Sequence, residues 1–288
     1  IRSSFQRFDF GGDYSITQFI LVFISLWLTG GRRLRHIKYL GCDPLVERLC
    51  GLQSLPSDRT VSRWLKQFTN DSLQALVELN SEIVVEKLAE LELPRVTVEL
   101  DGTVLSTGDT VAWAARGYNP MNRHAKSYFP LLCHIAQTGH FIRVQNRPGN
   151  VHDGRNQALI VMKEVVKQLR EKFPGIIIEF RLDSAFFRED ILKYLLSNHI
   201  EFAMKVPMWK WLGVKDLIQK RQRWSHPKPR LDYFSKSHYV EVWDLELPLH
   251  FYRRKLSDKP AKGHQLDFFT PDDGVYEHFV LISNKTLQ

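Results

Sequence analysis

The amino-acid sequence predicts an α/β fold: a mixed β-sheet flanked by helices, with a helical N-terminal domain. Three observations lead to this prediction. Apolar residues recur at helical spacing through residues 1–93. From Arg95 to residue 206 strand-like and helix-like segments alternate, an order typical of a mixed sheet with helices packed on it. From 207 to about 274 the pattern loosens, although residues 238–255 alternate like strands, and four of the seven tryptophans lie there.

The N-terminal part begins with an apolar segment, residues 16–29. It falls short of the roughly 20 residues that a membrane-spanning helix needs, and polar side chains interrupt it. We therefore expect a buried core helix and no membrane partner. Residues 55–68 predict a second helix, which Ser57 or Asp58 can cap. A longer amphipathic helix over about 71–92 ends before Pro94.

The central part predicts the elements of the sheet. Val96, Val98 and Leu100 alternate with polar residues, which indicates a strand that is apolar on one face. The elements expected after it are a hairpin over 127–147, a helix over 153–173, a strand over 176–183, a helix over 188–197, a strand over 200–206 and a last strand over 277–284.

Composition points to a polyanionic partner. The chain has 288 residues, a net charge of +8 and a pI of about 9.3. This surplus favours nucleic acid or an anionic membrane surface, although many basic proteins bind neither. The three cysteines form no CxxC pair, which argues against a disulfide framework or a zinc cluster and favours a reducing cytosol.

Two aspartates, Asp101 and Asp183, carry the clearest chemical signal. Each ends an apolar strand in the phase of the polar side chains, and small residues follow each. Two carboxylates on adjacent strands are suited to Mg²⁺, which prefers oxygen ligands. A pair of such ions can stabilise the attacking and the leaving oxygen at a phosphate. The alternative is that each Asp is a turn or helix-capping residue, and Ser184 could equally cap the following helix.

Three motifs resemble the DDE transposases of bacterial insertion sequences, which have a ribonuclease-H-like catalytic core. The motifs are VELDGTV around Asp101, RPGNVHD at 147–153 and FRLDSAFF around Asp183. The motif around Asp183 is the most specific, and that at 147–153 is supporting only. The resemblance extends from about residue 8 onward and includes the PSDRTVSRWL segment. It implies a ribonuclease-H-like mixed sheet with a β-rich insertion, which residues 207–275 resemble. It also implies DNA cleavage and strand transfer at the ends of a mobile element.

The same resemblance implies that Asp101 and Asp183 are the first two of three catalytic, metal-binding acids. They would hold two Mg²⁺ ions, for which Mn²⁺ can substitute. The third acid of the family is a Glu on a helix after the last core strand, and no match is found. The apolar run of the last predicted strand covers about 278–284, so Glu277 comes before it, and Glu241 and Glu246 lie in the insertion. We expect the third acid beyond Gln288 and a fragment that is inactive as given.

The predicted domains follow from these boundaries. Residues 1–93 are expected to form a helical DNA-binding domain, 94–206 the first part of the catalytic core, and 207–275 the insertion. Residues 276–288 are expected to form the last core strand, with the chain truncated before the final catalytic helix.

Candidate DNA contacts are basic or aromatic side chains in three places. They are Arg59, Arg63 and Lys66 in the N-terminal helices, Arg116, Arg123 and Lys126 after the first strand, and Arg223, Trp224, Arg253 and Arg254 in the insertion. Such contacts to phosphates would give affinity without sequence information. The alternatives are a solvated basic face for the N-terminal set and a small satellite core for the insertion.

Function is therefore expected to be that of a transposase acting on terminal repeats and target DNA in the bacterial cytoplasm, with a homodimer as the working unit. The alternatives are a related metal-dependent nuclease and a non-catalytic DNA-binding remnant.

Overall fold

The computed structural model describes residues 5, 7, 8, 10, 12–151, 157–260 and 271–285. The chain divides into two compact units, Ile1–Ile83 and Val84–Gln288. The sequence places this boundary ten residues later, at about 93. The difference arises because Val84, Val85 and Leu88 are buried in the hydrophobic core of the second unit.

Short helices make up the first unit, as its apolar periodicity predicts. They are α1 (Ile16–Leu28), α2 (Ile37–Leu40), α3 (Pro44–Cys50), α4 (Asp58–Leu65) and α5 (Asn70–Ala89), which contains the boundary. Of the two candidate caps for α4, Ser57 is the one used: its Oγ accepts a hydrogen bond from the backbone N–H of Thr60 at 3.2 Å. Such a bond satisfies one of the free N–H groups at a helix start.

The first unit has its own aromatic core. Phe19 of α1 stacks on Trp64 of α4 with ring centroids 4.3 Å apart. Helix α1 is buried only on this side, because Trp27 and Leu28 remain 66% and 79% exposed. The expected core helix is therefore buried on one side, at Phe19, Val22, Ser25 and Leu26. Within the described residues, no helix combines the length and the apolar character needed to cross a membrane.

The second unit is built on a mixed sheet that contains nine strands within the described residues. Their order is β5-β4-β1-β6-β7-β11-β10-β9-β8. The strands are β1 (Arg95–Gly102), β4 (Leu131–Ile135), β5 (Phe141–Gln145), β6 (Ile177–Leu182), β7 (Glu201–Val206), β8 (Ser225–Lys228), β9 (Leu231–Val240), β10 (Leu245–Lys255) and β11 (Tyr276–Ser283). A separate short pair is formed by β2 (Leu105–Ser106) and β3 (Ser127–Tyr128).

Parallel pairing joins β1 to β6 and β6 to β7, whereas β4 and β5 form the predicted antiparallel hairpin. Gly139 supplies the positive φ, 70°, in the hairpin turn. Two helices, α6 (Gln157–Lys172) and α7 (Glu189–Ser197), bury apolar stripes in the same core as the sheet. This architecture confirms the predicted α/β, ribonuclease-H-like fold class. The expected helix start at Asp153 lies outside the described residues.

The strands of the predicted insertion continue the same sheet. A helix, α8 (Val214–Lys220), precedes them, and strand β11 then pairs with both β7 and β10. Sequence analysis places Glu277 before the last strand, but Glu277 lies inside β11 and forms an ion pair with Arg254. The strand begins earlier than its apolar run because backbone pairing with β10 extends back to Tyr276.

Candidate active site

Asp101 and Asp183 occupy matching positions at the carboxyl ends of two neighbouring parallel strands. Strands β1 and β6 pair with Leu100 opposite Leu182, and the residue that follows each of these leucines is an aspartate. Neighbouring strands lie about 4.8 Å apart, and successive side chains alternate between the faces of a sheet. The two carboxylates therefore lie side by side on the face opposite to Leu100 and Leu182.

Each aspartate is held by a local backbone hydrogen bond. Asp101 Oδ1 accepts from the N–H of Gly102 at 2.8 Å, and Asp183 Oδ1 accepts from the N–H of Ala185 at 2.9 Å. Asp183 thereby caps the 3₁₀ turn at Ser184–Phe186, as the alternative interpretation anticipated. A cap uses one lone pair of a carboxylate that has two oxygens, so capping and metal binding are compatible.

Glycine follows Asp101 for a steric reason. A Cβ at Gly102 would meet Cζ of Phe129 at 2.7 Å, closer than carbon atoms can approach. The Phe129 ring therefore lies against the backbone directly beside Asp101. Both aspartates remain exposed to solvent.

The electrostatics of the pair show in the pKa of Asp183, which is raised above its ordinary value. Crowding by protein atoms is the main cause, because desolvation disfavours the charged form even though part of the residue contacts solvent. The N–H of Ala185 lowers the pKa, and the neighbouring Asp101 carboxylate raises it further. Lys205 also lowers it. A divalent cation between the carboxylates would relieve this repulsion.

The donor set fits a hard divalent cation in part. Two carboxylates supply oxygen ligands, and Mg²⁺ commonly retains water in its remaining positions. Within the described ranges, no group of three or more His, Cys, Asp or Glu residues could hold a metal ion. The described residues therefore offer two of the three acids that the sequence resemblance implies.

Other charged residues on this face are bound to each other. Glu179 is buried and accepts hydrogen bonds from Thr97 Oγ1 and Lys285 Nζ, both at 2.8 Å. Glu99 lies between His134 and Arg181, at 3.0 Å and 3.4 Å. Glu99 and Glu179 lie in the same alternating phase of β1 and β6 as the two aspartates, and ion pairs with neighbouring side chains offset their charge.

A groove of about 720 Å³ begins beside Asp183, and sequence analysis did not anticipate it. Its walls include Ser184, Lys205, Trp209 and Trp211. The two indoles stack with centroids 5.7 Å apart and are 43% and 49% exposed. The available signal was the pair of tryptophans directly after β7, a strand that ends at the same sheet edge as β6.

The loop after β1 rests on the motif at 147–153. Arg147 is buried, and its Nε donates to the carbonyl of Phe129 at 2.9 Å. The N–H of Gly149 donates to the carbonyl of Ser127 at 2.8 Å. A Cβ at Gly149 would meet Ala115 O at 2.5 Å. This part of the motif therefore packs the loop against the sheet, whereas His152 and Asp153 lie outside the described residues.

The candidate DNA contacts on this loop differ in whether they form hydrogen bonds within the protein. Arg116 donates from Nε to the carbonyl of His124 at 3.0 Å, and Lys126 donates from Nζ to the carbonyl of Asp109 at 2.7 Å. Arg123 is exposed. The first two side chains stabilise the loop itself, and each retains donors that can reach a phosphate.

The candidates in the insertion are mostly engaged within the protein. The Arg253 guanidinium lies 4.4 Å from the ring of Trp224, and its Nε donates to Asp232 Oδ2 at 2.6 Å. Trp224 also meets Phe234 edge to face with centroids 4.8 Å apart. Trp224 therefore packs within the protein, as the alternative to DNA contact expects, but it packs against the main core of the second unit and not in a separate satellite core. Arg254 pairs with Glu277, and Arg223 is exposed.

The candidate DNA contacts of the N-terminal unit lie on the exposed side of α4 and at the residue that follows it, Lys66. Val61 and Trp64 are buried, whereas Arg59, Arg63 and Lys66 are exposed. Helical periodicity predicts this division of the helix into an apolar and a basic face. A surface of this kind is suited to phosphate contacts.

Known structures provide three comparisons. The piggyBac transposase synaptic complex with hairpin DNA has 14% sequence identity and a TM-score of 0.46, and the match covers 99% of this chain and 56% of that one. The Mos1 transposase paired-end complex with the left transposon end has 13% identity and a TM-score of 0.27, over 67% and 60%. The Mos1 mariner paired-end complex with Mn has 14% identity and a TM-score of 0.27, over 70% and 65%. The chain thus spans between half and two thirds of these proteins.

Sequence families give the decisive comparison. No curated protein matches the chain. The family model described as "Transposase DDE domain group 1" matches residues 12–240, which is most of the chain and includes both Asp101 and Asp183. The chain therefore belongs to the DDE transposase domain family, group 1.

Proposed function

We propose that this protein is a transposase that cuts and joins DNA at the ends of a mobile element. The observation that carries the proposal is the matching position of Asp101 and Asp183 on adjacent parallel strands of a DDE-family chain. Asp101 and Asp183 would hold two Mg²⁺ ions, for which Mn²⁺ can substitute. When bound, these ions activate a hydroxyl nucleophile and stabilise the charge at the phosphate.

The protein's own part in this chemistry is positioning. Asp183 is oriented by the N–H of Ala185 and Asp101 by the N–H of Gly102, so both carboxylates have a defined direction before a ligand arrives. Phosphoryl transfer depends mostly on positioning and charge stabilisation. A rigid pair at the ends of two paired strands is suited to that requirement.

DNA is the partner that this function requires, and the net charge of +8 supports it. The candidate contacts are the exposed side chains of α4, the loop after β1 and Arg223. Cleavage at two element ends requires two active sites, so we propose a homodimer on DNA. A bacterial cytoplasm is the setting that the insertion-sequence resemblance implies.

A strand-transfer assay tests the proposal. Full-length protein is incubated with labelled DNA that carries the sequences flanking its gene, with Mg²⁺ or Mn²⁺. Joined products support a transposase, and cut products alone would indicate a nuclease. DNA binding without either product would indicate a non-catalytic DNA-binding protein. Asp101→Asn and Asp183→Asn should each abolish both products and leave DNA binding intact; equal loss of binding would contradict the assignment.

A further inference from the structure

Lys205 continues the row that Asp101 and Asp183 begin. Strands β6 and β7 pair in parallel with Leu182 opposite Met204, so Asp183 is followed across the sheet by Lys205. Three neighbouring strands, β1, β6 and β7, thus present two carboxylates and one ammonium group at the same edge and on the same face.

Lys205 differs from the other basic residues of strands β1, β4, β5, β6 and β7 in having no hydrogen-bonded or ion-paired partner among the described residues, although its charge lowers the pKa of Asp183. Arg95 pairs with Glu201, Arg143 with Glu164, and Arg181 and His134 both with Glu99. Lys205 is exposed and forms no ion pair or hydrogen bond with any residue that the structure describes. An ammonium group left free beside two carboxylates remains available to an anion from outside.

Lys205 faces the groove described above, where a ligand could contact it. Lys205 lies on its wall together with Trp209 and Trp211. The acidic residues of the same groove are already engaged within the protein: Glu277 pairs with Arg254, and Asp272 accepts hydrogen bonds from the backbone N–H and Nδ1 of His278. The free charge on the described wall nearest to Asp183 is therefore positive.

We infer that Lys205 binds a phosphate group of the DNA strand held at Asp101 and Asp183. This inference rests on the proposed function. A lysine acts as a mobile point charge, and one phosphate contact places the neighbouring phosphodiester in register with the carboxylate pair. The alternative is that Lys205 only offsets the charge of Asp183 and never contacts DNA.

Salt-dependent binding separates these roles. Binding of a fluorescently labelled single-stranded oligonucleotide is measured without divalent metal over a range of NaCl concentrations. Loss of one phosphate contact lowers the slope of log K against log salt by about 0.7 for a single strand. Lys205→Gln should show this loss, and Lys205→Arg should keep the slope of the unmodified protein. Lys167→Gln removes the same charge from an exposed position on α6 and should change nothing.

A crosslinking experiment gives a second readout that does not depend on affinity. Cys42 is exposed, so the background protein carries Cys42→Ser. Lys205→Cys should form a disulfide with an oligonucleotide that carries a thiol on its phosphate backbone, and Lys167→Cys should not.

Two results would overturn the inference: an unchanged salt slope in Lys205→Gln, or crosslinking at position 205 no stronger than at 167. A lower melting temperature of Lys205→Gln with an unchanged slope would assign Lys205 the charge-offsetting role. Metal binding is scored separately, by Mn²⁺ titration without DNA. The unmodified protein could bind Mn²⁺ poorly while Lys205→Gln still lowers the salt slope. That result would contradict the proposed metal-dependent chemistry and would still support the phosphate contact of Lys205.

Discussion

Lys285 donates a hydrogen bond from Nζ to Oε1 of the buried Glu179 at 2.8 Å. Glu179 lies in the middle of β6, and Lys285 follows β11, which is two strands away in the sheet. The ion pair therefore ties the residues after β11 to the polar face on which Asp101 and Asp183 lie. Because Glu179 can take up a proton, the strength of this ion pair depends on pH.

We predict that Glu179 stabilises the fold in a pH-dependent way. Burial opposes its ionisation, but hydrogen bonds from Lys285 and Thr97 outweigh it and lower the pKa of Glu179. The folded pKa lies below the unfolded one, so the stabilisation is complete above the ordinary carboxyl pKa. It is lost as pH falls through the lowered folded value.

Glu179→Ala should cost about 2 kcal/mol of unfolding free energy at pH 7, because it removes the hydrogen bonds that this buried carboxylate accepts from Thr97 and Lys285. Lys285 keeps a longer ion pair with Glu201, at 3.8 Å. Urea unfolding at several pH values measures this effect. The gap between the variant and the unmodified protein should shrink in acid, and a gap that does not depend on pH would contradict the charge-based account.

Ionisation of Asp183 has the opposite effect on stability to ionisation of Glu179. Its raised folded pKa means that the charged form destabilises the metal-free protein above that pKa and that the cost disappears as pH falls below the unfolded value. Asparagine caps a turn as well as aspartate does. Asp183→Asn should therefore raise the melting temperature of the metal-free protein at neutral pH.

The same variant should lose the stabilisation that metal brings. Added Mg²⁺ or Mn²⁺ should raise the melting temperature of the unmodified protein and leave that of Asp183→Asn unchanged. The metal effect should weaken as pH falls through the raised pKa, because protons compete with the cation. An Asp109→Asn variant, altered at an exposed acid in the loop after β1, serves as the control and should respond to metal normally.

Gly149 should be intolerant of a side chain. A Cβ there would meet Ser127 Oγ at 2.3 Å and Ala115 O at 2.5 Å. Gly149→Ala should cost about 1–3 kcal/mol through overpacking, and it should slow cleavage because the displaced loop follows Asp101. Gly108→Ala is the matched control, since nothing lies within 4 Å of a Cβ at that exposed position. Equal melting temperatures for the two variants would contradict the packing role.

The basic face of α4 should contribute affinity without sequence preference. Replacing Arg59, Arg63 and Lys66 singly with Gln should each lower the salt slope for duplex DNA by about 0.9 and leave the melting temperature unchanged. Lys87→Gln in α5, whose lysine pairs with Glu90, should keep the full slope. If none of the three variants changes the slope, α4 is a solvated basic face.

The elements of the fold could be predicted well because they depend on local periodicity. The apolar alternation of β1 and β6 and the stripe of α6 predict their burial directly, and Ser57 was correctly among the candidate caps for α4. The continuity of the insertion with the core was missed. It depends on β11 pairing with two strands that are distant in sequence, and no local pattern encodes that pairing.

The sequence by itself determined the family and the two aspartates at strand ends, because both are properties of short motifs. Only the tertiary structure decided which charges meet. Strand register placed Asp183 between Asp101 and Lys205, and the ion pairs of Glu99 and Glu179 removed those acids from the site. The physical reason is that side chains alternate between the two faces of a strand, so their direction can be predicted from the local sequence. The register between strands depends instead on the packing of the whole sheet.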